Sequence, residues 1–273
     1  MPLYVNTNVS SINAQRNLNT STTALSTSLQ RLSSGMRINS SKDDAAGLAV
    51  ATGMTTQIRG SNQAIRNAND SISLAQTAEG MLGQVESNVQ RMRELAVQGA
   101  NGTATTANRS QIQLELDQLA SENSRLILNT KFNDKKLFTD TTQEFEFQVG
   151  AGTSTNNQIA VTIRAAVFSQ ATAVASFSNS VDALALVDSL DADLKLIATN
   201  RAALGAAQNR FSAVVSNLTN YVENVSAAKS RIMDTDFASE TATLTRNQII
   251  QQAGTAMLSQ ANQLPNAAMS LLR

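Results

Sequence analysis

Histidine, cysteine and tryptophan are absent from this 273-residue chain, and its two prolines stand at positions 2 and 265. Without histidine, the commonest acid–base group and metal ligand near neutral pH is missing. Without cysteine there is no thiol nucleophile, no thiolate zinc or iron–sulfur site and no disulfide. Aromatic residues make up 4% of the chain, whereas a thick globular core usually draws on more large rings. The formal net charge is zero, so nothing attracts the chain in general to nucleic acid or to an anionic membrane. No stretch approaches the roughly 18 apolar residues of a membrane-spanning helix. Residues Met1 to Asn6 lack the basic start, apolar core and small-residue cleavage site of a secretory leader. The general rules of secretion alone therefore give a cytoplasmic protein, although a dedicated export machine would leave no such mark.

What remains is Ala, Ser, Thr, Asn and Gln, punctuated by Leu, Ile and Val at helical intervals. That composition suits long, thin helices. Both ends are strongly patterned. Val5, Val9, Ile12, Leu18, Leu25, Leu29 and Leu32 lay an apolar stripe along the N-terminal segment. Ile250, Ala253, Met257, Ala261, Leu264, Ala268 and Leu271 do the same at the C-terminus, with Leu272 beside them. Chain ends normally fray, so ends this regular are built to be buried, and assembly is the expected means.

The interior is free of proline breaks. A long helix is expected from Ala45 to about Gln98, its apolar positions including Ile58, Ile65, Ile72, Leu82, Val85, Val89, Met92 and Ala96. Gly99 to Thr103 marks a turn. A second helix carries Ile112, Leu116, Leu119 and Leu126 on one face. A strict alternation of three and four runs from Val187 to Ile232, apolar except at Arg201, Gln208 and Lys229, as in a coiled coil whose few polar seam residues fix register. Glu144 to Val149 and Gln158 to Arg164 alternate polar with apolar, which predicts a β-hairpin near 144–164. Ala165 to Asn179 is ambiguous.

Two breaks set off the terminal helices. Around Ser33 to Ser41, Gly35 suits a helix C-cap, and Ser41 with Asp44 suits a new N-terminus. At Met233 to Asp236, Asp236 can cap the last helix, with Glu240 in its first turn. The breaks lie at similar distances from the two ends, so the N- and C-terminal helices are expected side by side. The fold class is mainly α: a long antiparallel helical rod or coiled-coil bundle with a small hairpin in mid-chain.

The close carboxylates Asp43-Asp44, Asp191-Ala192-Asp193 and Asp234-Thr235-Asp236 could hold a cation or act as an acid–base pair. Caps and solvated helix faces explain them more simply. There is no phosphate-binding loop. No catalytic, cofactor-binding or metal residue is assigned, and the chain does not read as an enzyme.

The run Gln30-Arg31-Leu32-Ser33-Ser34-Gly35-Met36-Arg37-Ile38-Asn39, followed by Lys42-Asp43-Asp44-Ala45-Ala46-Gly47, resembles the N-terminal signature of bacterial flagellins. So does Gln90-Arg91-Met92-Arg93-Glu94-Leu95-Ala96-Val97-Gln98. Leu204 to Phe211, Ser230 to Asp236, Gln252 to Leu258 and Ser270-Leu271-Leu272-Arg273 match the family's C-terminal half. The resemblance covers nearly all the chain outside 135–180 and implies a short flagellin lacking large outer domains.

That resemblance implies a structural subunit polymerising head to tail into the flagellar filament used for motility, secreted without a cleaved leader through the flagellar type III system. It implies an N-terminal inner-core helix and spoke (1–40), the N-terminal part of an outer-core domain (41–178), that domain's C-terminal helix (179–232), and a C-terminal spoke and inner-core helix (233–273). The implied partners are other copies of the chain, an export chaperone, the filament cap and hook-junction proteins. Arg91, Leu95 and Glu115 lie on motifs through which some flagellins engage the vertebrate Toll-like receptor for flagellin; packing between subunits is the simpler reading of the same residues. The rival functions are a hook–filament junction protein and, in another class, a coiled-coil adhesin or receptor-binding module.

Overall fold

The structure, a computed structural model, describes residues 7–139, 141–163, 169–176 and 178–270. In chain order the elements are α1 (Val9–Ser34), α2 (Ala45–Ala100), α3 (Thr106–Asn129), β1 (Lys131–Phe132), β2 (Lys135–Lys136), β3 (Gln143–Gln148), β4 (Gln158–Ile163), α4 (Ser169–Thr172), α5 (Ser180–Met233) and α6 (Phe237–Ser270). The chain is mainly α, with long helices and a small antiparallel hairpin region in mid-sequence, as expected. It forms two compact units, Met1–Thr56 with Asn224–Arg273, and Gln57–Glu223.

Within Gln57–Glu223, α2 supplies an unbroken buried row: Ser61, Ala64, Ala68, Ser71, Ala75, Ala78, Leu82, Val85, Val89, Met92, Ala96 and Gly99, spaced alternately by three and four. This is the coiled-coil period. It differs from the sequence reading in its first half. Ile58, Ile65 and Ile72 are only half-buried, and the innermost positions there are serine and alanine. Small residues let neighbouring backbones approach closely, so large aliphatics are displaced to the flanks. On α5, Val187, Leu190, Ile197, Leu204 and Phe211 of the expected seam are buried, and Leu194, Arg201, Gln208, Val215, Leu218 and Val222 are half-buried.

Two of the polar seam residues, Arg201 and Gln208, have partners on α2. Arg201 pairs with Glu86 and lies 3.8 Å from Glu79, and Gln208 Nε2 donates to Glu79 Oε2 at 2.8 Å. Arg93 grips Asp191 with two hydrogen bonds, Nε to Oδ1 at 2.6 Å and an outer nitrogen to Oδ2 at 3.2 Å. On α2 these partners, Glu79, Glu86 and Arg93, follow one another at heptad spacing with a change of sign at the last. A slip of α5 by one heptad in one direction would set Arg201 against Arg93; in the other it would set Arg93 against Val187. Either way charges lose their partners, so the row discriminates against misregister.

The hairpin β3–β4 pairs antiparallel from Gln143↔Ile163 to Gln148↔Gln158. Its inner face carries Phe145, Phe147, Ile159, Val161 and Ile163, and its outer face Glu144, Glu146 and Thr162. Phe147 meets Phe211 of α5 edge-to-face, with ring centroids 5.9 Å apart at 82°. A second, smaller hairpin was not anticipated. β1 and β2 pair as Lys131↔Lys136 and Phe132↔Lys135 around Asn133 and Asp134, both left-handed (φ 49° and 61°). Two positive φ values make the primed turn that hairpins favour. Leu137 and Phe138 then bury themselves in the core.

The ambiguous segment lies partly outside the described residues. The rest includes the single turn α4, whose Ala171 is fully buried. Asn123 Nδ2 of α3 donates to the Ala171 carbonyl at 3.0 Å, and the Ala171 amide donates to Asp193 Oδ2 of α5 at 2.9 Å. Asp193 is only 5% exposed, which corrects its reading as a cap or solvated-face residue.

Two outcomes follow. Phe211→Ala removes the ring beneath the hairpin and should lower unfolding free energy by about 3–5 kcal/mol, read by chemical denaturation of the monomer. The Arg93 guanidinium, chiefly by hydrogen bonding, holds the Asp191 carboxyl below the usual carboxylate range. Its stabilising share is therefore present above that range and lost as pH falls through the lowered folded value. Asp191→Asn should unfold more easily at neutral pH and lose less stability on acidification than the parent; parallel pH profiles would contradict this.

Candidate assembly surface

In the unit Met1–Thr56 with Asn224–Arg273, α1 and α6 pack side by side. Asn8 Nδ2 donates to the Ala261 carbonyl at 2.8 Å, Ser11 Oγ to Asn262 Oδ1 at 2.7 Å, and Ser21 Oγ to the Asn247 carbonyl at 3.2 Å. Arg31 lies 3.9 Å from Glu240. As the first number rises the second falls, so the pair is antiparallel.

Its seam is plain in the burial pattern. On α1 the inward positions are Ser11, Ala14, Leu18, Ser21, Leu25, Ser28 and Leu32; on α6 they are Glu240, Leu244, Asn247, Gln251, Gly254, Leu258 and Ala261. Both rows alternate three and four. Both are mostly small or polar, and α1's buried members are Ser21 and Ser28. A Cβ on Gly254 would stand 3.2 Å from Leu18 Cδ1, so glycine permits the close approach.

The expected apolar stripes therefore divide. Leu18, Leu25 and Leu32 face the partner helix, half-buried. Val9 (63% exposed), Ile12, Leu29, Ile250 and Met257 (65%) face away. Val5, Leu271, Leu272 and the side chain of Leu264 lie outside the described residues. Sequence reading missed Ile249 and Phe237, which are also exposed. Among the described residues of this unit, the buried apolar side chains are Ile38, Ala51 and Ala261.

The two breaks are stitched to each other. Gly35 ends α1 in the left-handed conformation (φ 70°), and its carbonyl accepts from the Thr235 amide at 3.0 Å. Met36 and Asp234 form an antiparallel bridge, the Arg37 amide donates to the Met233 carbonyl at 2.6 Å, and the Arg37 guanidinium donates to the Ile232 carbonyl at 2.7 Å. Asp236 caps α6, accepting from the Ala238 and Ser239 amides. The cap of α2 is Asp44, which accepts from the Gly47 amide at 2.8 Å, rather than Ser41. Asp43 closes the preceding turn: the hydroxyl of Ser40 first, then the amides of Ser40 and Asn39, hold its carboxyl below the usual range. A Cβ at Gly47 would lie 2.4 Å from Asp44 Oδ2 and 2.7 Å from Ile38 Cδ1, so a larger residue would displace the capping carboxylate and the buried Ile38 side chain. Among the described residues no three metal-binding side chains cluster.

Arg91, Leu95 and Glu115 separate in the other unit. Arg91 donates to Glu115 of α3 at 3.0 and 3.2 Å and to Glu94 at 3.1 Å, and these carboxylates, Glu115 foremost, raise its pKa. Arg91 and Glu115 are exposed, but Leu95 is 3% exposed and belongs to the core. The mixed apolar and charged patch is thus corrected: Leu95 supports the α2 face from within and presents no surface of its own.

Residues 5–143 match the model of the bacterial flagellin N-terminal helical region, and residues 187–272 that of the bacterial flagellin C-terminal helical region. Between them lie β3, β4, α4 and the start of α5. A flagellin of Halalkalibacterium halodurans is 42% identical, the alignment covering 99% of this chain and all of that protein. Flagellin A of Vibrio cholerae is 36% identical over the whole of both chains. The crystal structure of Bacillus cereus flagellin superposes with a TM-score of 0.51 at 25% identity, covering 60% of this chain and 94% of that one. Matches to both terminal regions, on a chain whose two ends pair through a seam too polar to be a core, place it in the bacterial flagellin family.

Proposed function

We infer that this flagellin, a structural subunit of the flagellar filament, polymerises through the outward apolar faces of α1 and α6. The observation that carries the reading is the contrast just described: the helix pair spends serine, glycine, asparagine and glutamine on its own seam and leaves Val9, Ile12, Leu29, Ile250 and Met257 exposed. An isolated helix pair of this kind is marginal in water. Copies added head to tail, without closing into a ring, would cover those faces and couple the ordering of the ends to assembly. In the sequence, Val5, Leu264, Leu271 and Leu272 fall on the same apolar periodicity. Residues 1–40 and 233–273 would then serve as the inner core and its spokes, and 41–178 with 179–232 as the outer core. The role is mechanical rather than catalytic.

Such weakly self-sufficient ends also suit passage through a narrow type III channel to the cell exterior without a cleaved leader. Among the described residues no helix is long and apolar enough to cross a membrane. An export chaperone, the filament cap and hook-junction proteins are partners of this reading. For a vertebrate Toll-like receptor, the exposed Arg91–Glu115 pair is the element open to contact, with Leu95 acting through the position of α2.

Burying an isoleucine or methionine side chain is worth about 1.5–3 kcal/mol. Ile250→Asp with Met257→Asp should therefore raise the subunit concentration needed for seeded growth by more than about tenfold. The denaturant midpoint of the α2–α5 unit should not change. Sedimentation and electron microscopy of seeded samples check this; filaments growing at parental concentrations would refute it.

A further inference from the structure

We propose that Asn101 is a spontaneous deamidation site, which converts the α2–α3 turn from neutral to anionic as the protein ages. Asn101-Gly102 is the chain's single Asn-Gly pair. It lies in the exposed turn after α2. The Asn101 side-chain carbonyl accepts from the Thr103 amide at 3.3 Å, which polarises Cγ. The Gly102 amide has no hydrogen-bond acceptor among the described residues, and space around Gly102 is open to 4 Å from where a Cβ would stand. The backbone rotation that brings the Gly102 nitrogen onto Cγ of Asn101 meets no steric obstacle at Gly102 and has to loosen only the hydrogen bonds on the Asn101 carbonyl, in an exposed turn.

The reaction needs only water. Hydroxide removes the Gly102 amide proton, and the nitrogen attacks Asn101 Cγ to form a carbon–nitrogen bond. The bond from Cγ to Nδ2 then breaks, and the nitrogen leaves with a proton as ammonia. Water opens the resulting five-membered imide at either carbonyl. One opening gives aspartate; the other gives isoaspartate, in which the main chain runs through the side-chain carbon. Both add one carboxylate.

The chain's three Asn-Ser pairs lack this freedom. In Asn39-Ser40 the Ser40 amide, which would be the nucleophile, donates to Asp43 Oδ2 at 2.9 Å. Asn123-Ser124 lies inside α3, with Asn123 fully buried. In Asn179-Ser180 the Asn179 side-chain oxygen accepts from the Asp182 amide at 2.8 Å and its main-chain carbonyl from the Ala183 amide at 3.4 Å, so both ends of the residue are fixed as the cap of the long helix α5.

The change falls where the turn is anchored. Arg109 donates from Nε to the Gly99 carbonyl at 2.9 Å and from an outer nitrogen to the Asn101 carbonyl at 3.3 Å, and the Ala104 amide donates to the same Asn101 oxygen at 3.0 Å. Isoaspartate lengthens the main chain there and displaces that oxygen, while the new carboxylate offers Arg109 a stronger acceptor.

The test is incubation of purified full-length protein at 37 °C and mildly alkaline pH, with peptide mapping by mass spectrometry and separation of isoaspartyl peptides. Asn101 should convert several-fold faster than Asn39, Asn123 and Asn179, more quickly as pH rises, and yield both products. Gly102→Ala, which the open space accommodates, should slow conversion at least several-fold without changing the fold by circular dichroism. Conversion no faster at Asn101 than at the other three sites would overturn the proposal, as would an unaltered rate in Gly102→Ala.

Discussion

Two antiparallel helices that meet through serine, alanine and glycine can approach closely, yet they bury little apolar surface. That constraint governs the terminal unit of this flagellin. A pair of this length must offset the entropy of ordering its backbone, roughly 1–2 kcal/mol per residue. Its seam offers Leu18, Leu25, Leu32, Leu244 and Leu258 at half-burial, with Ile38 the one large aliphatic fully buried among its described residues. Val9, Ile12, Leu29, Ile249, Ile250 and Met257 point outward. The unit Gln57–Glu223 is differently provided: Leu82, Met92, Leu116, Phe138, Leu190, Ile197, Leu204 and Phe211 are all buried there. One unit has a core of its own, and in the function proposed the other is stable chiefly in company.

The same economy of side chains recurs in the self-sufficient unit. Along α2 the first half of the buried row is serine and alanine and the second half is leucine, valine and methionine. Larger residues are used where α3 and α4 add further surfaces to fill, whereas the hairpin lies beside the small-residue half, the Asn67 side chain donating to the Gln148 carbonyl at 2.9 Å. Where α5 lies against α2 with polar seam residues, charge supplies the specificity that small side chains cannot. Arg201, Gln208 and Asp191 each find an opposite or hydrogen-bonding partner on one heptad row of α2. Exposed pairs of this sort add little stability, but they penalise a shifted register.

Much of this was legible in the residues. Gly35 and Asp236 announced the ends of helices, the alternation in 144–163 announced the hairpin, and the α5 seam from Val187 held over its whole length. What the pattern misled on has a common cause. Periodicity locates an apolar stripe, but not which neighbour covers it. Ile250 and Met257 read as a packing face, yet they do not face α1 and stand exposed. Ile58, Ile65 and Ile72 outshone the alanines and serines that do the close packing. Leu95 sat in a motif associated with surface contact, and only the fold shows it turned inward. The β1–β2 hairpin escaped because its strands are two residues long; the signal was Asn133-Asp134, a turn pair without the usual glycine. Asp193 looked like any solvent-facing carboxylate, because its partner, the Ala171 amide, comes from a segment with no pattern of its own.

Backbone hydrogen exchange measured on dilute monomer and on assembled filament addresses the central claim most directly. The account predicts that amides of α1 and α6 exchange rapidly in the monomer and become strongly protected in the filament, while those of the α2–α5 seam are protected in both. Equal and strong protection of α1 and α6 in the isolated monomer would contradict it.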